Sequence, residues 1–365
     1  MKKIIHFTGM QSFKFGSLER YFLHLIQQCS DEGYKTILQY ETMPSSQSYL
    51  DELKKSGAEV MVFPTYGNPW RMFINCLSCL REIKANIVHT HFTGRNAKLV
   101  IPIIARMCGT RRIICMVHNK PPYQKKNIAR FAYNLYHHVL PVSKSVESSL
   151  LTGGVKPDIL NAHYLGLFGE KVRSKEDRVL FRKKFSIPGE AVVLICISFD
   201  APFKGVDILV EAFQILYSKH KNIYLLSVGV DVGESRLPAL ATELGISDRV
   251  RWAGIVDEGW KTLSAADIYV QPSRSEEGLP LAIMEAMAMK LPIVCTNISG
   301  NVEAVADGKN GLICKPTKED LAAAIEKMIL RPDSWREMGE AGKGRFLELF
   351  DGKKSVEDLI GRYYL

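Results

Sequence analysis

Two rhythms alternate along the 365-residue chain. Short apolar runs of strand length are followed by longer stretches whose apolar residues recur at helical spacing. In the first half the runs are KKIIHFT, YKTILQY, AEVMVFP, ANIVHTHF, RRIICMVH, HHVLPVS and PDILNAHY, and stretches such as SLERYFLHLIQQCSDEG separate most of them. Strands alternating with helices of this length predict βαβ units, a parallel sheet and right-handed crossovers. The rhythm breaks at GLFGEKVRSKEDRVLFRKKFSIPGEA, a charged stretch of helical character. It resumes with AVVLICIS, NIYLLSVG, DRVRWAG, ADIYVQPS and LPIVCTN. The pattern predicts an α/β chain of two doubly wound domains, over residues 1–165 and 166–345, with an amphipathic helix over 346–365.

In such sheets ligands bind beyond the carboxyl ends of the strands, and domain interfaces favour pockets. Two domains in tandem therefore predict a central cleft. Gly9, His91, His118, Ser143, Ser198, Gly254 and Ser273 each follow an apolar run. The most informative segment is SRSEEGLPLAIMEAMA, from Ser273 to Ala288, in which seven residues separate Glu277 from Glu285. ADIYVQPS before it reads as a buried strand, and Gly278-Leu279-Pro280 as the elbow into a helix. The first turn of a helix presents unpartnered N–H groups and a positive dipole, which suit a phosphate. Glu277 lies just before that turn, and Glu285 about two turns further on. One carboxylate for a sugar hydroxyl and one for a ribose, with phosphates between, would suit a nucleotide-sugar. Two solvated helix-end charges fit the spacing equally well.

Lys204-Gly205 lies between a strand and an amphipathic helix, where a lysine reaches a diphosphate as a point charge. Gly16 allows close backbone approach after the first strand, and Ser17 is placed to cap the first helix. His91 and His118 end neighbouring strands, and Gly300-Asn301 offers backbone and amide groups to sugar hydroxyls. The chain contains neither GxGxxG nor GxxxxGK[ST]. Asp-x-Asp is absent as well, so no metal is expected on the diphosphate. Helix N-termini and basic side chains must then stabilise it.

Composition narrows the setting. Hydrophobic residues at 46% and charged residues at 24% describe a globular protein. No apolar run approaches the ~18 residues of a membrane span. MKKIIHFTGM reads as a strand rather than a signal peptide, so the expected location is cytoplasmic. Cys115, Cys196 and Cys295 fall within strands as reduced core thiols, and Cys76 and Cys79 form a lone CxxC in a helical segment. Charge is uneven. Residues 1–165 carry 21 Lys and Arg against 10 Asp and Glu (+11), and the remainder 27 against 29 (−2), so the whole excess of +9 belongs to the first half. That asymmetry predicts an anionic partner there, a membrane surface or a phosphorylated acceptor, rather than nucleic acid. The amphipathic NPWRMFINCLSCLREI reads as core packing or, alternatively, as a membrane contact.

Taken in order, these segments resemble the retaining GT-B glycosyltransferases of family GT4 over nearly the full length. GSLERY is similar to the family's GGxER loop, and VHTHF and VHN to its strand-end histidines. LPVSKSV, ILNAHYLGLF and FKGVDILVEAF are similar to its VSxxxxxxL, PNGxD and KGxxxLIEAF segments. RVRWAGIVDEGWKTLSAADIYVQPSRSEEGLPLAIMEAMA resembles its long signature with the EX7E pair Glu277 and Glu285, and ISGNVEAVADGKNGLI its GGxxEIVxDGxNGLL. The resemblance implies two Rossmann-like domains facing a cleft, and a final helix crossing back to the first domain. It implies metal-independent transfer of a sugar, with retained configuration, from a UDP-linked donor to a hydroxyl of a glycan, lipid-linked or polysaccharide acceptor.

By the same resemblance Glu285 binds the ribose, Glu277 approaches the donor sugar, and N–H groups near Gly278 to Leu279 hold phosphate, with Pro280 beside them in the donor-binding set. Lys204 neutralises the diphosphate, and Gly16 lets its loop close on it. His118 sits near the transferred sugar. Ser198 adds to the donor-binding set, Gly254 and Ile255 border the base, and His91, Arg95, Lys120, Gly300 and Asn301 line the acceptor or sugar pocket. One departure stands out. The family's arginine, five or six residues before the lysine, is replaced here by Phe199 or Ser198. That removes a charge-assisted contact of roughly 1.5–3 kcal/mol, for which Arg95 or Lys120 is the candidate substitute. The PNGxD asparagine remains as Asn161, but Ala162 and Tyr164 replace its partners. Two competing readings follow: a nucleotide-sugar-binding subunit without turnover, and a nucleotide-sugar epimerase, against which the EAMA signature argues.

Overall fold

The computed structural model describes the chain apart from residues 1, 11, 121–125, 169–171 and 276 and the side chains of 126–129. It divides into two compact units, Met1–Phe168 with Gly352–Leu365, and Gly169–Asp351. Unit 1 holds strands β1 (Lys2–Phe7), β2 (Tyr34–Tyr40), β3 (Glu59–Val62), β4 (Ile87–Thr90), β5 (Arg112–Val117) and β6 (His138–Pro141). They form one sheet in the order β3-β2-β1-β4-β5-β6, all pairs parallel. Unit 2 holds β7 (Val192–Ile197), β8 (Ile223–Val228), β9 (Val250–Gly254), β10 (Ile268–Gln271), β11 (Ile293–Thr296) and β12 (Gly311–Cys314). Their order is β12-β11-β10-β7-β8-β9, again parallel throughout. The direction of winding reverses between β1 and β4 in one sheet and between β7 and β10 in the other. Those reversals are the switch points where doubly wound folds bind ligands.

Helices on both faces explain why the strands read as near-continuous apolar runs. In unit 1, Ile5, Phe7, Val88, Ile113 and Cys115 pack against the helices Pro69–Ile83 and Arg95–Met107. Cys76 and Cys79 belong to that core, and burial pushes both thiols up to about 12, as inert core residues require. The same helix leaves Trp70 and Ile74 exposed. In unit 2 the corresponding core joins β7, β8, β10 and β11 to the helices Val206–Lys219 and Lys318–Ile329.

Three segments differ from the sequence expectation, while the charged break is helical as expected. PDILNAHY is not a strand: Pro157–Ile159 forms a 3-10 turn, and only Leu160 bridges to Val139. Pro157 has no N–H to give a ladder. The edge strand β12 was not expected, because its four residues follow directly on the turn-rich DGKNG. The charged break contains the helix Lys175–Lys184. Its Arg182, 4% exposed, donates to Asp267 Oδ2 at 2.8 Å and to the carbonyls of Ala265, Pro188, Gly189 and Ala191, which fixes the helix to unit 2. Finally, residues 346–365 are not one helix. Ser334–Leu349 ends in unit 2, and Gly352–Leu359 opens the return segment of unit 1. At Gly352 a Cβ would lie 2.6 Å from the carbonyl oxygen of Leu167, so only glycine fits.

Candidate functional site

In unit 2 the switch point brings together residues 73 positions apart in sequence. Lys204 ends the 3-10 turn Pro202–Lys204 after β7, and its Nζ donates to both oxygens of Glu277, at 2.8 and 3.0 Å. Gly205 makes that approach possible. It holds φ +66°, and a Cβ there would meet the carbonyl oxygen of Pro272 at 2.2 Å. The Arg274 N–H donates to the carbonyl of Phe203 at 2.8 Å, tying the two loops together.

Behind Glu277 runs a buried hydrogen-bond chain. The Tyr269 hydroxyl donates to Gln271 Oε1 (2.6 Å), Gln271 Nε2 to Ser273 Oγ (3.0 Å), and Ser273 Oγ to Glu277 Oε1 (3.0 Å). Burial first, with Cys196 and Glu285 adding to it, holds the Tyr269 phenol well above its ordinary range, so it remains a donor. Thr296 Oγ1 donates to the Ser273 carbonyl at 2.6 Å. Each side chain fixes the next, and the chain ends on a carboxylate whose position is thereby determined. Glu277 is 4% and Glu285 7% exposed, which excludes the reading of two solvated helix-end charges. Glu285 lies within the helix Leu281–Ala288, whose first turn follows Pro280.

The other donor-side residues cluster at the carboxyl ends of the same strands. The Ser198 N–H donates to the Val228 carbonyl (2.8 Å), and that of Gly229 to the Gly254 carbonyl (2.7 Å). Gly254 holds φ +70° and Ile255 is exposed. Phe199, standing where the arginine was expected, has its ring 5.2 Å from Lys204 Nζ, as has Phe203. The lysine thus lies between two aromatic faces and a carboxylate. Gly300 packs its Cα against the elbow: a Cβ would lie 2.1 Å from the Gly278 carbonyl oxygen. Asn301 is fully buried and donates to Thr296 through Nδ2. Both residues shape the loop from within, and Asn301 presents no exposed amide to a sugar.

Unit 1 has candidate residues of its own. Gly16, not Ser17, is the N-cap of the helix Ser17–Asp31. Glu19 accepts from the Gly16 N–H at 2.9 Å and from Ser12 Oγ at 2.8 Å, pinning the loop after β1. His91 and His118 lie with ring centroids 5.7 Å apart, 1% and 9% exposed, and His118 stacks on Phe92 at 3.7 Å. Burial, then the Lys98 ammonium, pushes His118 down to about 3, so its imidazole is neutral at ordinary pH. Arg95 is exposed at the start of the helix Arg95–Met107, and Lys120 is half-buried. Sequence reasoning missed Tyr269, Gln271 and Glu19. Their polar side chains in or beside buried elements were the available signal.

A model of the glycosyl transferases group 1 family matches residues 177–345, most of unit 2. An uncharacterised glycosyltransferase of Methanocaldococcus jannaschii is 25% identical, over 98% of this chain and 96% of its own length. A GDP-mannose-dependent alpha-(1-6)-phosphatidylinositol monomannoside mannosyltransferase of Mycolicibacterium smegmatis is 27% identical, over 77% of this chain and 79% of its own length. Among solved structures, Anabaena HepE in complex with UDP-glucose superposes with a TM-score of 0.83, at 18% identity and over 99% of both chains. WaaG, a glycosyltransferase involved in lipopolysaccharide biosynthesis, superposes with a TM-score of 0.75, at 16% identity, over 98% of this chain and 99% of its own.

Proposed function

We infer that this glycosyltransferase, a GT-B protein whose residues 177–345 belong to the glycosyl transferases group 1 family, moves a sugar with retained anomeric configuration from a UDP-linked donor to an acceptor hydroxyl. The observation that carries the reading is the buried chain from Tyr269 to Glu277, with Lys204 paired to its end at the unit 2 switch point. A carboxylate held so firmly is suited to orient a donor sugar. Lys204, released from Glu277 by an incoming diphosphate, neutralises the leaving group together with the N–H groups after Gly278. Glu285 takes the ribose hydroxyls, and neutral His118 hydrogen-bonds the transferred sugar. The bond from C1 to phosphate breaks, the acceptor oxygen bonds to C1 on the same face, and its proton leaves with the diphosphate.

The reading assigns no metal to the diphosphate, because lysine and helix dipole supply the positive charge. The acceptor is a glycan or lipid-linked hydroxyl, and the +11 balance of residues 1–165 suits an anionic membrane face on the cytoplasmic side. Among the described residues no helix is long and apolar enough to cross a membrane. Phe199 in place of the arginine favours a second reading, a binding subunit without turnover.

Nucleotide release from UDP-, GDP- and ADP-sugars, with and without acceptor extracts, separates the two. Release with one donor, and an α- or β-linkage matching that donor, supports transfer; tight binding with no release supports the subunit. Glu285→Ala should raise KM for the donor, and Glu277→Ala should mainly lower kcat. Transfer should continue in EDTA, and its complete loss with the melting temperature unchanged would contradict the metal-free diphosphate site.

A further inference from the structure

The half of unit 1 opposite the apolar core contains three buried imidazoles that the transfer reaction does not need. His6 on β1 is directly paired in register with His89 on β4, so both side chains point to one face of the sheet. His91, two residues on, points the same way. All three are at most 1% exposed. The face is closed by the helix Ser17–Asp31, through Phe22, and by Tyr364 of the return segment.

Hydrogen bonding within the cluster is incomplete. His6 Nδ1 and His91 Nε2 lie 3.1 Å apart, and His89 Nδ1 meets the Tyr364 hydroxyl at 2.6 Å. His6 Nε2, His89 Nε2 and His91 Nδ1 have no partner among the described residues. A buried polar atom without a partner costs about 1–3 kcal/mol, and three in one cluster call for a physical reason. One ring nitrogen from each histidine falls within 4.8 Å of the other two. Around a tetrahedral zinc ion, ligating nitrogens are about 3.3 Å apart, given Zn–N bonds near 2.0–2.1 Å. Ligation therefore requires the nitrogens to close by at most about 1.5 Å. Burial lowers the pKa of all three and holds His6 at about 3, so each ring is the neutral base that a metal requires.

We propose that His6, His89 and His91 form a transition-metal site of the zinc class, with Tyr364 orienting His89 through its second ring nitrogen. Imidazole donors suit zinc, copper, iron and nickel rather than magnesium or calcium. A hydrogen bond to the non-ligating nitrogen is the usual way such a ring is held. The three ligands bring no negative charge, so the fourth position belongs to hydroxide or water. The ion would join β1, β4 and, through Tyr364, the return segment. Its role is to hold unit 1 together, independent of the diphosphate chemistry of unit 2. His91 is then a ligand rather than a sugar contact, in keeping with its burial.

The test uses the full chain, expressed in zinc-supplemented medium for metal analysis and, after chelation, titrated with Co2+. The expected results are close to one zinc per chain, an intense visible d–d band from four-coordinate Co2+, and a melting temperature that rises with added zinc. A double variant, His6→Gln with His89→Gln, should lose all three. Because core variants can fold poorly, Tyr364→Phe provides a second readout: it keeps every ligand and should weaken metal affinity about 10- to 100-fold. A metal-free wild-type chain with no cobalt band and no zinc-dependent melting shift would overturn the proposal, as would undiminished binding by the double variant.

Discussion

At the β1/β4 reversal of unit 1 the sequence sets imidazoles; at the β7/β10 reversal of unit 2 it sets a lysine against a glutamate. Winding and strand order are the same, yet burial acts on the two groups differently. A buried imidazole with no carboxylate beside it gives up its charge, as with His118, which burial and then the Lys98 ammonium push down to about 3. Lys204 and Glu277 face each other instead, and a hydrogen-bond chain from Tyr269 supports the carboxylate. The topology supplies the place, and the side chains decide whether it is neutral or charged. A buried pair of this kind is costly to break, because removing one partner leaves the other uncompensated.

The largest expected effect strikes the charged side. Glu277→Gln should lower the transfer rate about 10²- to 10³-fold, the scale of losing one preorganised electrostatic contact, and should lower the melting temperature as well, because part-buried Lys204 loses its counter-charge. An equal loss from a neutral substitution at His118 would erase the contrast. Next comes Gly205→Ala, which must accept a positive φ and a clash with the Pro272 carbonyl. It should destabilise unit 2 by about 3 kcal/mol, read by urea unfolding, and leave unit 1 unaffected.

A pH series sharpens the neutral side. The folded pKa of His118 lies below the ordinary value of 6.5, so the unfolded chain takes up the proton first. Its contribution to stability is present above about pH 6.5 and is lost as pH falls toward 3. By pH 5 the loss from His118 should reach about 2 kcal/mol, and His118→Gln should make the slope shallower by that amount, with His6, His89 and His91 keeping the remainder. A variant with the wild-type slope would remove His118 from the account. The smallest effect belongs to Ser273→Ala, which interrupts the chain between Gln271 and Glu277. It should cost about 1 kcal/mol of transition-state stabilisation, or roughly a five- to tenfold drop in kcat, with donor KM nearly constant.

Much of this was legible in the chain. Among the described residues, eleven of the twelve strands coincide with the apolar runs, because helices on both faces leave no polar alternation to disguise them. The exception, Gly311–Cys314, is a short edge run that follows directly on a turn. The residues of the Glu277 elbow were visible as a spacing of carboxylates, but their burial was not: an eight-residue helix can present glutamates to water or to the interior. Nothing local marked Lys204 as the partner of Glu277, since a hydrogen bond across 73 residues depends on the neighbouring positions of β7 and β10. Gly300 and Asn301 looked like ligand contacts because small and amide residues serve surfaces and packed loops alike. The break between Leu349 and Gly352 was hidden within an amphipathic pattern continuous enough to read as one helix.

The return segment Gly352–Leu365 has a consequence for how the chain is made. Unit 1 is discontinuous, and Tyr364 meets His89 across 275 residues of sequence. A ribosome therefore completes all of unit 2 before the residues that close the histidine face emerge. Until then unit 1 has its apolar core but a second face covered only by the helix Ser17–Asp31, and completing it requires a chain loop as long as the whole of unit 2. The order of synthesis thus gives unit 2 the first opportunity to fold to completion and makes unit 1 the last part of the molecule to become native.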